Sequence, residues 1–75
     1  MDGPLIECVP NFSEGRDVTV IEAITGSIEA VEGVSILDVD MGHDFNRTVV
    51  TMVGEPEAVL EAAISCTSVA IELID

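Results

Sequence analysis

Residues 34–53 read VSILDVDMGHDFNRTVVTMV, and the fold turns on this stretch. Val34 to Asp40 is rich in β-branched residues and alternates in part, as a strand does. Thr48 to Val53 sets Thr48 and Thr51 among Val49, Val50, Met52 and Val53 and reads as another strand. Met41 to Arg47 between them is a polar loop. Two strands so joined suggest an antiparallel hairpin, although the loop is longer than a tight turn.

Upstream, Ile21, Ile24, Ile28 and Val31 recur at steps of three and four, with Glu22, Thr25, Glu29 and Glu32 on the opposite stripe. That spacing predicts an amphipathic helix with one core face. Asp17 or Thr19 can cap it, Thr19 and Glu22 having capping-box spacing, and Gly33 supplies a left-handed stop. Pro10 to Gly15 is a loop of turn formers. Leu5 to Val9 is a short strand ended by Pro10.

Downstream, Gly54-Glu55-Pro56 opens a second helix, with proline in its first turn. Its polar residues, Glu57, Glu61, Ser65, Ser68, Glu72 and Asp75, form one narrow stripe, and nearly everything else is apolar. One sheet face would not cover so wide an apolar surface. A further subdomain, a second copy or the rest of a longer protein is expected to pack there. Ile21, Ile24, Ile28, Leu60, Ile64 and Ile71 are the expected core.

The order β-α-β-β-α belongs to the α/β class, as an α+β sandwich. It is a ferredoxin-like split βαβ unit lacking its last strand, with both helices on one face of an antiparallel-containing sheet. Glu72 and Asp75 sit in the last helical turn, where the helix dipole favours cations, and no Gly, Lys or Arg closes the helix. Residues 1–75 therefore read as a single partial domain.

Composition narrows the function classes. Of 75 residues 48% are hydrophobic, and mean hydropathy is +0.51, too apolar for a disordered segment. No run reaches the roughly 18 apolar residues of a membrane span. Fifteen Asp and Glu face two Arg and no Lys, for a net charge of −13. Such a chain lacks the basic footprint of a nucleic-acid binder and would be repelled by anionic membranes. Cys8 and Cys66 lie too far apart for a metal pair or a CxxC motif and read as core fillers with reduced thiols. The acidic start, without a long apolar run, shows no signal peptide and points to the cytoplasm. The sequons at Asn11 and Asn46 are then chance matches.

Both arginines and the single histidine fall in two loops, residues 11–16 and 38–48. One reading is an anion-binding or acid/base site; the other is that the arginines neutralise nearby carboxylates, Arg47 pairing with Asp38 or Asp44. A metal cluster of Asp38, Asp40, His43 and Asp44 fails the calcium-loop pattern: His43 takes the place that needs Gly and Val49 the place that needs Glu. No second His or Cys stands near for zinc. His43 alone has no triad-like partner.

The stretches Glu7-Cys8-Val9-Pro10-Asn11-Phe12-Ser13-Glu14-Gly15, Leu37-Asp38-Val39-Asp40, Asn46-Arg47-Thr48-Val49 and Val53-Gly54-Glu55-Pro56-Glu57-Ala58 carry a resemblance. In order and spacing they resemble the start of the glutamate formimidoyltransferase family, which also forms the first part of formiminotransferase-cyclodeaminases. The resemblance covers essentially the whole chain. It implies the first of two α/β subdomains in a transferase that moves a formimidoyl group from N-formimidoyl-glutamate to tetrahydrofolate, in histidine degradation and one-carbon metabolism. Folate, the co-substrate, would lie in the cleft between the subdomains. The family's catalytic histidine comes beyond the second helix, past Asp75, and His43 is not its counterpart. Asp40 matches the family acid that supports that histidine. Arg47 and Asn46 match the Asn-Arg-Thr motif, and Asn11 and Glu14 lie in the first loop, as candidates for substrate binding. The chain alone is then expected to be inactive, with the rest of the transferase or a second copy as its partner. The other reading is a non-catalytic binding or self-association module with the same fold.

Overall fold

The computed structural model describes residues 4–74, with His43 described by its backbone alone. Its elements are β1 (Ile6–Cys8), β2 (Asn11–Phe12), α1 (Val18–Glu29), β3 (Val34–Gly42), a short 3-10 turn (His43–Phe45), β4 (Arg47–Gly54) and α2 (Pro56–Leu73). β4 is the centre of a four-stranded antiparallel sheet, with β1 and β2 along one edge and β3 along the other. β1 and β3 thus run parallel on either side of β4, which is the split βαβ arrangement the element order implies.

The first strand does not end at Pro10. Cys8 opposes Met52 and Asn11 opposes Val49, so one register runs unbroken from β1 into β2. Proline has no N–H to give, but its carbonyl accepts from the Val50 N–H at 3.1 Å, and an edge strand tolerates that loss. The expected loop from Met41 to Arg47 is also shorter than its polarity indicated. β3 runs on to Gly42, β4 begins at Arg47, and the 3-10 turn closes the gap.

The sheet has one covered and one bare face. Thr48, Val50 and Met52 of β4 are fully buried under the helices, and Phe12 is nearly so. α1 lies against β3, and α2 against α1 and β1. Ile21, Ile24 and Ile28 of α1 are buried as expected. Asp17 provides the N-cap, its Oδ1 accepting from the Thr19 and Val20 amides, so the capping-box alternative at Thr19 is not the one used. The helix ends at Glu29, and Gly33 takes φ 95° to turn the chain into β3.

α2 corrects half of the expected core. Val59, Ala62 and Cys66 are its buried residues, whereas Leu60, Ile64 and Ile71 are 62%, 59% and 77% exposed. Small side chains let α2 approach α1 and the sheet closely, and the bulky residues lie on the flank beside the polar stripe. Burial pushes the Cys66 thiol above its ordinary value, although a hydrogen bond with the Thr67 side chain works the other way. Asp75 lies outside the described residues.

Candidate functional site

β3 contains one β-bulge, and it decides where the acids go. Ile36 opposes Met52 and Asp38 opposes Thr51, so Leu37 is the extra residue. Without it, Asp38 and Asp40 would share the core-facing side of Ile36, since side chains alternate with period two. The bulge flips that phase. Val39 and Met41 then oppose buried Val50 and Thr48, while Asp38 and Asp40 oppose Thr51 and Val49 on the bare face.

Asn11, Val49 and Asp40 therefore form one row across that face, because Val49 is the cross-strand partner of both others. Arg47, two residues before Val49, stands on the same face opposite Gly42. Asp40, Gly42, Phe45, Arg47 and Val49 line a shallow depression of about 170 Å³. Arg47 is exposed, and its guanidinium makes no hydrogen bond or ion pair among the described residues, so it is not spent on Asp38 or Asp44. The side chain of His43 lies outside the described residues.

The other two candidates are tied into the loop. Glu14 Oε2 accepts from the amides of Arg16 and Asp17 at 3.2 and 3.1 Å. Asn46 adopts φ 49°, and its Oδ1 accepts from the Gly15 amide at 2.9 Å. The structure thus sets Asn11, Asp40 and Arg47 on the bare face, with Asp40 and Arg47 lining one depression and Asn11 outside it, its Nδ2 donating to the Val9 carbonyl at 3.3 Å, and uses the side chains of Glu14 and Asn46 to hold backbone. Phe45 went unread in the sequence. It is 84% exposed at the rim of the depression, and the signal was an aromatic placed in a loop of otherwise small and polar residues. Among the described residues no group of three or more His, Cys, Asp or Glu could hold a metal ion, and no helix is long and apolar enough to cross a membrane.

A second, larger groove of about 340 Å³ runs between Pro10–Ser13 and the end of α2, lined by Thr67, Ala70, Ile71 and Ile74. Its lining is mostly apolar, with Asn11, Ser13 and Thr67 as the polar members.

Fold and face together define an α+β subdomain that offers a carboxylate, a guanidinium and an amide from one uncovered sheet. Residues 5–75 match the family described as formiminotransferase domain, N-terminal subdomain, and the chain belongs to that family. It is similar to formimidoyltransferase-cyclodeaminases from Dictyostelium discoideum, at 55% identity, and Gallus gallus, at 56%. Each match takes in 95% of this chain and 13% of the relative. It is also 45% identical to a glutamate formimidoyltransferase from Thermoplasma acidophilum, over 95% of this chain and 23% of that protein. The chain thus spans less than a quarter of the length of each of these three relatives.

Proposed function

We propose that this chain is the opening part of a folate-dependent transferase that moves a formimidoyl group from N-formimidoyl-glutamate to tetrahydrofolate, with the bare sheet face as one wall of the site. The observation that carries the reading is the grouping of Asn11, Asp40 and Arg47 on the face without helices. Both substrates bear glutamyl carboxylates, and a guanidinium recognises a carboxylate by paired hydrogen bonds. In a chain of net charge −13 a local cation matters all the more for drawing in an anion. The folate nitrogen must lose a proton as it attacks the formimidoyl carbon, which calls for a general base. In this reading Asp40 orients a histidine from outside this chain by accepting a hydrogen bond from one of its ring N–H groups, as carboxylates do in other acid–base sites. Asn11 supplies an amide for a neighbouring polar group, and Glu14 and Asn46 serve the site by shaping its loops. Such an enzyme would work in the cytoplasm, in histidine degradation and one-carbon metabolism.

A second reading rests on α2. The exposed Leu60, Ile64 and Ile71 also suit a non-catalytic module whose helix binds a second copy. One assay separates the two. The purified chain, given tetrahydrofolate and N-formimidoyl-glutamate, is expected to show no turnover. Joined to the remainder of a formimidoyltransferase it is expected to turn over, with Asp40→Asn lowering kcat and Arg47→Lys raising KM. Turnover by the chain alone, lost on mutating Asp40, would place the base within these residues. An inactive joined protein would favour the binding module.

A further inference from the structure

Arg47 is flanked by two residues that both reach across to one loop. Asn46 Oδ1 accepts from the Gly15 amide at 2.9 Å, and the Thr48 hydroxyl donates to the Glu14 carbonyl. Thr48 is fully buried, so its hydroxyl has no water to turn to. Gly15 lies directly over the strand junction: a Cβ built there would come within 2.5 Å of the Arg47 nitrogen and 2.8 Å of the Arg47 and Gly42 oxygens. Only glycine allows that approach. Asn46 completes the fit, since φ 49° is a conformation that asparagine adopts more readily than most residues.

We propose that Asn46 and Gly15 form a clasp that fixes the main chain of Arg47, making Asn46 a positioning residue for the Arg47 guanidinium. The side chain, with no partner among the described residues, then leaves a rigid root to meet a carboxylate on the bare face. Pre-set placement matters because ordering a long side chain at the moment of binding costs entropy. The ligand part of this inference rests on the proposed carboxylate role of Arg47; the clasp itself does not.

The test uses the ¹⁵N-labelled chain, amide exchange at Gly15, relaxation at the Arg47 amide, and titration with glutarate as a dicarboxylate probe. Asn46→Gly keeps the positive φ and deletes the acceptor, Asn46→Asp keeps an acceptor, and Ser68→Gly loosens α2 far from the clasp. In Asn46→Gly we expect faster exchange at Gly15, a more mobile Arg47 main chain, and glutarate binding weakened about fivefold, the worth of one ordinary hydrogen bond. Asn46→Asp should restore all three, and Ser68→Gly should change none. An Arg47 main chain equally ordered in Asn46→Gly overturns the clasp, whatever glutarate does. Ordered Arg47 in the unaltered chain without any glutarate shift at Arg47 keeps the clasp and overturns the carboxylate role.

Discussion

Helix α1 buries its largest side chains and α2 turns its largest outward. In α1, Ile21, Ile24 and Ile28 are nine-tenths or more buried, and glutamates fill the far side. In α2 the buried line is Val59, Ala62 and Cys66, while Leu60, Ile64 and Ile71 face away from the sheet. The difference teaches that bulk and depth are separate choices. α1 closes the core with volume. α2 closes it with a line of Val59, Ala62 and Cys66 and leaves its bulkiest side chains exposed.

The sharpest way to break this contrast is Ile24→Ala. Its side chain is fully buried, so the loss should be about 2–5 kcal/mol in denaturant unfolding. A loss below about half a kcal/mol, the range of surface substitutions, would remove Ile24 from the core. Ala62→Leu comes next. Overpacking the α1–α2 contact should cost about 1–3 kcal/mol, whereas a helix with room at that face would accept leucine freely. Ile64→Ala should be nearly silent, within about half a kcal/mol, because the residue is already mostly wet.

The smallest effect is on the pH dependence of stability. The Cys66 thiol has a higher pKa folded than unfolded, so the folded chain holds its proton longer. Its contribution is complete below the ordinary thiol value of 9.0 and fades as pH rises past it. The alkaline loss of stability should be shallower in Cys66→Ala, and an equal slope in both proteins would contradict the buried placement.

Three of the four strands and α1 are legible in the sequence because polar and apolar residues there differ in kind as well as place; β2 at Asn11–Phe12 is not, because it lies in a stretch of turn formers. α2 was half legible. Its apolar surface is wider than one sheet face covers, as the sequence shows, but the size of a side chain there does not predict its depth. The line directly opposite the stripe of Glu57, Glu61, Ser68 and Glu72 is that of Val59 and Cys66, and this is the line that is buried. The site was legible as residue types, less so as geometry. Partial alternation in VSILDVDMG was the trace of the bulge at Leu37: apolar residues fall at 34 and 36, then at 39 and 41. That phase jump turns Asp38 and Asp40 toward the bare face. The tie between Asn46 and Gly15 joins positions 31 residues apart and left no local pattern to read.

Residue-by-residue mapping of ligand contact tests most directly whether substrate meets the bare face while α2 keeps its apolar flank for protein. The ¹⁵N-labelled chain is titrated with N-formimidoyl-glutamate and each amide shift is followed. Shifts are expected to concentrate at Asn11, Asp40, Arg47 and Val49, with Leu60, Ile64 and Ile71 unmoved. Shifts centred on α2, with the row across Val49 silent, would contradict it.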